Sequence, residues 1–256
     1  MIGNAAQVDL PPAPSEPIHA HAEEHRGPCP ALNALANEGY LPRSGRVTVV
    51  QLVQALHERL GITQSIGMLL AKMAMAKLGK MGEEGARVLD LADLVQHGFI
   101  EHDASLTRVD AREGDAAELC PPLLEQLLSL SKDGQALSLE DLATAHQLRM
   151  KQSAAGGHTV PFKAGVLGTF EAALLYQVLR RNGAVAITDA REFLGSERIP
   201  MDHTPHDIGW GSLLFTTARL AVLGNLPFSA AKRRANELSA AAPSGCPFGH
   251  AARSAG

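Results

Sequence analysis

From Pro30 to residue 241, apolar side chains recur at three- and four-residue intervals, and no segment alternates with period two long enough for a convincing strand. That periodicity confines the chain to an all-α architecture. Thr48 and Ser138 read as helix N-caps, with Gln51 and Asp141 three positions on completing capping boxes. Helices are expected over Val49–Leu60, which Gly61 stops, and over Ile66–Leu78, Val88–His97, Glu118–Leu130 and Leu139–Gln152. Ala164–Arg181, Ser212–Val222 and an exposed Ser229–Ala241 follow, and only Ala184–Ile187 is arguable as a strand. Residues 1–27 read as an extended arm and 242–256 as a mobile tail, leaving 28–241 as a single domain.

Several classes of function drop out on composition. A net charge of −4 with no basic block gives nucleic acid no footprint. No apolar run approaches the ~18 residues that cross a bilayer. The first residues lack a basic then apolar leader, so the chain is expected to be intracellular, or secreted with its leader removed. Eleven histidines suggest metal, but no pair has HExxH spacing or a cysteine beside it. Met68, Met73, Met75 and Met81 fit a helix core better than a redox relay.

Three cysteines, Cys29, Cys120 and Cys246, cannot all pair within one chain. Cys29 lies between Pro28 and Pro30, and Pro30 suits the first turn of a helix. That places Cys29 at an N-cap, with the N–H groups of Ala31 and Leu32 directed at its sulfur. The positive helix end should lower the thiol pKa. A rigid thiolate of this kind suits an axial haem ligand, though a buried structural cysteine at a helix start fits the same spacing. Cys246 also precedes a proline, but in the small, polar tail.

Two further features bear chemistry. Glu101-His102-Asp103-Ala104-Ser105 follows the helix stop at Gly98, and Glu101 with the Ser105 hydroxyl offers hard oxygen ligands suited to Mg²⁺; a solvated turn would read the same. Glu171 is the one acid between Ala164 and Leu179, flanked at helical spacing by Leu167, Gly168, Leu174 and Leu175. Burial on that face would raise its pKa and make it a general acid–base; a boundary glutamate is the alternative.

The run from Pro28 through Cys29-Pro30-Ala31-Leu32-Asn33 to Pro42-Arg43, followed by Glu101–Ser105, resembles the signatures of the haem-thiolate peroxidases, the family of chloroperoxidase and the unspecific peroxygenases. The resemblance implies a multi-helix bundle enclosing a haem b, with Cys29 as proximal ligand. It implies a divalent cation, Mg²⁺ by preference, held by Glu101, the His102 carbonyl and Ser105 against a haem propionate. It further implies Glu171 as the distal acid–base, supported by His102, whose imidazole Asp103 orients. Phe162, Leu167 and Phe170 become candidates for a substrate channel. The expected reaction is oxidation of small apolar organic molecules by hydrogen peroxide through a ferryl intermediate, by hydroxylation or epoxidation. Halide oxidation of the chloroperoxidase type, or haem binding without turnover, are the alternatives. His102 matches the short branch of the family. Where the longer branch carries a distal arginine this chain has Ala164, leaving charge stabilisation to His102. Some short relatives pair through a C-terminal cysteine, which makes a homodimer through Cys246 a further expectation.

Overall fold

A computed structural model describes residues 24–82, 85–156, 160–225 and 230–239. Within them the chain is mostly helical: α1 Pro30–Asn37, α2 Val49–Leu60, α3 Gln64–Leu78, α4 Pro121–Leu128, α5 Leu139–Ala155, α6 Phe162–Leu179, α7 Ile187–Gly195, α8 Trp210–Asn225 and α9 Ala230–Ser239. The described part of the N-terminal segment is pinned rather than free, since Arg26 donates to Asn37 Oδ1 at 2.9 Å and to the Arg43 carbonyl at 2.8 Å.

Both capping boxes form, Thr48 with Gln51 and Ser138 with Asp141, and Gly61 takes the left-handed conformation that closes α2. The largest departure is at Val88–His97. There the chain runs as a strand, Arg87–Asp90, and then a 3₁₀ turn, Leu91–Val95. Arg46–Val47 and Lys80–Met81 pair antiparallel with that strand on either side. The ladder satisfies main-chain groups that a helix would have satisfied internally, and Leu89 and Leu91 are fully buried either way. A second two-stranded pairing joins Ala136–Leu137 to Val185–Ala186, inside the segment where a strand was arguable. The helix α7 that follows it is absent from the sequence reading. The exposed helix expected near the C-terminus is α9, and it packs on α5: Ala235 is 1% exposed and Lys151 Nζ reaches Asn236 Oδ1 at 2.5 Å.

The core is aliphatic, built around Leu35, Leu60, Ile66, Leu89, Leu127, Leu142 and Leu148. α5, α6 and α8 pack against one another, with α2 and α3 paired to each other. No helix among the described residues is long and apolar enough to cross a membrane.

Candidate active site

Cys29 caps α1 with Pro30 at its first position, and its backbone is extended at φ −95°. The main-chain N–H groups of Leu32 and Ala31 favour the thiolate, although neither closes to a full capping bond. Burial works against them and is the larger influence, so the thiol sits above its ordinary value rather than below it. Two peptide dipoles do not offset the loss of water around a charged sulfur. A metal bound to the sulfur would supply what they lack. Cys29 is the free cysteine among the described residues, whereas Cys120, 3% exposed, already has a partner; Cys246 lies outside them.

Glu171 lies on the α6 face beside Gly168. Desolvation by surrounding protein is the strongest influence on its carboxyl, yet 48% of the side chain is open. A group so crowded and still reachable faces an internal recess. The half-buried Cys29 shares that surrounding, because the Glu171 charge is felt at its sulfur. A thiol on one element and a carboxylate on another thus lie near enough for the charge of one to act on the other. Of the channel candidates, Leu167 and Phe170 are half-buried near Glu171, while Phe162, the first residue of α6, is 89% exposed and can stand only at an outer rim.

His102 is 3% exposed, and its Nε2 stands 3.4 Å from Glu171 Oε2. Its Nδ1 is 2.8 Å from the main-chain carbonyl of Asp103, which can only accept. The Nδ1 proton is therefore fixed, leaving Nε2 for Glu171. Burial alone would lower the His102 pKa, but the hydrogen bond and charge of Glu171 outweigh it and hold it at about 9. Burial likewise pushes Glu171 up, and His102 reverses it, so the carboxyl ends below its ordinary value. The sequence reading expected a raised pKa here. The resting pair is instead an imidazolium and a carboxylate, and the latter is ready to accept a proton. The orienting group is also different: the Asp103 peptide does it, while the carboxylate accepts from Ala111 N at 3.2 Å and faces His97 Nε2 at 3.9 Å.

The loop of Glu101–Ser105 is held from α5. Arg149 donates to the Ser105 carbonyl at 2.8 Å and to Asp110 Oδ1 at 3.0 Å, and that oxygen also accepts from Ala104 N at 2.8 Å. Ser153 binds the other Asp110 oxygen. Ala104 consequently sits at φ 66°, a left-handed conformation that a non-glycine residue keeps only where its surroundings impose it. The Ser105 hydroxyl lies 3.3 Å from the His102 carbonyl. Glu101 is 5% exposed; its Oε2 is 2.7 Å from His97 Nδ1, and its Oε1 is buried without a partner. His97, Glu101 and Asp103 each bring a ligand atom within 4.8 Å of the others. A buried carboxylate oxygen without a partner beside oxygen donors fits a hard cation.

Sequence reasoning missed His146 on α5, 6% exposed and beside the pair. The Thr169 hydroxyl donates to the Gly165 carbonyl at 2.8 Å, so it accepts from His146 Nε2, 3.2 Å away. His146 Nδ1 is then a bare acceptor, buried and unpaired. Burial and the nearby His102 both lower its pKa, so it stays neutral. Both imidazoles approach because residue 168 is glycine: a Cβ there would lie 2.6 Å from His146 Cε1 and 3.3 Å from His102 Cε1. A lone histidine on an apolar helix face carries no sequence signal that separates this role from a core one.

A helical frame with a helix-capping cysteine and a histidine-backed carboxylate near it is the arrangement of a haem-thiolate class of site. Residues 15–210 match the family described as peroxidase, family 2. The chain is 30% identical over 234 residues to an aromatic peroxygenase of Cyclocybe aegerita, covering 77% of this chain and 63% of that one. It is 26% identical over 201 residues to an aromatic peroxygenase of Coprinellus radians, covering 69% and 77%. A chloroperoxidase of Leptoxyphium fumago is 35% identical over 96 residues, covering 36% and 26%. This chain belongs to the haem-thiolate peroxidase family. It spans less than two thirds of the length of the Cyclocybe aegerita relative.

Proposed function

We propose that this chain uses hydrogen peroxide to oxygenate or oxidise small apolar organic molecules, with a haem held between Cys29 and Glu171. The observation that carries the reading is proximity: the charge of a His102-supported carboxylate on α6 acts on the helix-capping thiol of α1. When bound, the haem supplies an iron centre that activates peroxide and is made electron-rich by the thiolate. Cys29 donates that thiolate from the rigid start of α1, with Ala31 and Leu32 N–H groups beside the sulfur. Glu171 takes the proton from the near oxygen of peroxide and returns it to the far oxygen, so that water can leave. The Nε2–H of His102 holds the carboxylate in place between those transfers. Leu167 and Phe170 offer an apolar wall for the substrate.

The cation belongs to the same proposal. Glu101 Oε1, the His102 carbonyl and Ser105 Oγ would hold a divalent ion, Mg²⁺ for a hard oxygen set, with His97 and Asp103 close enough to join. The family members named as peroxygenases favour oxygen insertion over the halide chemistry of the chloroperoxidase. A haem carrier without turnover would have no use for a His102-backed Glu171 carboxylate.

The test is a spectrum and a product. Protein loaded with haem should give the red-shifted ferrous–CO Soret band of thiolate ligation. It should also convert a small aromatic or alkane to an oxygenated product only when peroxide is added. A ferrous–CO spectrum typical of imidazole ligation, or no product under any peroxide dose, would remove the reading.

A further inference from the structure

Arg108, which is buried, and Glu197, with 23% of its side chain open, form an ion pair that the chemistry above leaves unused. Arg108 is 4% exposed; its guanidinium donates to the Ala117 carbonyl at 3.2 Å and to Glu197 Oε1 at 3.1 Å. The same Glu197 oxygen accepts from Asn33 Nδ2 at 2.8 Å. Asn33 sits one turn after Cys29 on α1, and its amide grips Gly27 from both sides, accepting from its N–H at 3.0 Å and donating to its carbonyl at 2.8 Å. Asn37, one turn further, donates to the Glu197 carbonyl at 3.2 Å.

Glu197 therefore joins three pieces: the end of α7, the helix that carries the thiol, and the segment that runs on from Glu101–Ser105. Its φ of 50° is left-handed, which a glutamate keeps only where such bonds over-determine it. Arg108 also acts electrostatically on both the Cys29 sulfur and the Glu171 carboxyl. Its charge is therefore felt at both groups.

We propose that Arg108 and Glu197 are a positioning pair that sets how strongly the Cys29 sulfur donates to its metal, the guanidinium withdrawing and the carboxylate offsetting it. The inference rests on Cys29 as axial ligand. The buried guanidinium is weakly screened, and Glu197, though partly open, is tied through Asn33 to the helix that carries the sulfur, so each should register at the iron with its own sign. Asn33 transmits position as well, since moving Glu197 moves the first turn of α1.

An anaerobic redox titration of the haem-loaded protein at pH 8 tests this without using turnover. Arg108→Gln should shift the Fe(III)/Fe(II) midpoint negative, and Glu197→Gln should shift it positive. Arg108→Lys keeps the charge and should stay near the parent. A merely structural pair would move both Gln variants in the same direction, or leave both unmoved, and either result overturns the proposal. Should Arg108→Gln fail to load haem, Arg108→Lys and Glu197→Gln still decide, and a Lys variant displaced as far as Glu197→Gln overturns it. The parent's ferrous–CO band separates the two readings. If that band lacks thiolate character, the ligand assignment has failed; if it is intact and the opposed shifts are missing, only the Arg108–Glu197 role has failed.

Discussion

Glu171 shows how far a side chain's chemistry depends on its neighbours. Its own burial would favour the protonated acid, and a histidine 3.4 Å away keeps it ionised instead, the form that can accept a proton. Glu171→Gln keeps the shape and removes the proton acceptor. The reaction with hydrogen peroxide, followed by rapid mixing, should slow by about 10²–10⁴-fold. Oxidation by iodosylbenzene, which needs no proton transfer, should be affected far less, and an unchanged peroxide rate would return Glu171 to an ordinary helix residue. Gly168→Ala tests the same spot through volume. The added methyl meets His146 Cε1 at 2.6 Å, so His146 or α6 must move. A loss of about 1–3 kcal/mol is expected, read as a lower midpoint in urea, together with slower peroxide chemistry. An unchanged midpoint would mean that the two imidazoles are not packed against α6 as described.

At the scale of elements, α1 carries the Cys29 sulfur at its start and the 101–110 loop carries the buried His102 imidazole. The proline at the start of α1 fixes the entry, and Asn33 and Asn37 fix the remainder of the helix against Glu197. Cys29→His leaves the helix intact and exchanges thiolate for imidazole. Haem should still be retained in part, the ferrous–CO band should move, and peroxygenation should be lost. An unmoved band would shift the ligand to another residue. The loop has no regular structure of its own, and the buried Arg149–Asp110 pair stands in for it. Arg149→Met leaves Asp110 without its cation and should cost about 3–5 kcal/mol in chemical denaturation. Hydrogen exchange should rise at Ala104, whose N–H is bonded to Asp110. Loss of stability without added exchange there would separate the pair from the loop.

Across the whole molecule, the residues that would hold the haem, Cys29 and Glu171, come from parts far apart in sequence, and the candidate cation site at Glu101–Ser105 falls between them in the chain. Glu101→Ala with Ser105→Ala, or treatment with a chelator, should weaken haem retention measured by transfer to apomyoglobin more than it slows molecules that stay loaded. Absence of a stoichiometric divalent ion from purified, haem-loaded protein would sink the cation site. Much of this was legible in the chain. Local signals set Val49–Leu60, the two capping boxes, the Pro30 start of α1 and the all-helical class, because each depends on contacts within a few residues. The motifs around Cys29 and Glu101 also marked the residues to which the proposed chemistry is assigned. Where pairing partners come from afar, the sequence was silent or misleading. Val88–His97 has a helical pattern, yet its first residues join a strand because Arg46–Val47 and Lys80–Met81 flank them, and a 3₁₀ turn follows. His146, Arg108 and Glu197 look like ordinary polar residues until α5, α7 and the 101–110 loop fold against α1 and α6. The sign of each ionisation was likewise decided in three dimensions. Burial raised the Cys29 thiol that a helix end should have lowered, and His102 lowered the Glu171 carboxyl that burial should have raised. Composition and periodicity act through neighbours in the chain and fix helices, caps and candidate ligands; desolvation and charge pairing act through neighbours in space, so only the tertiary structure could determine them.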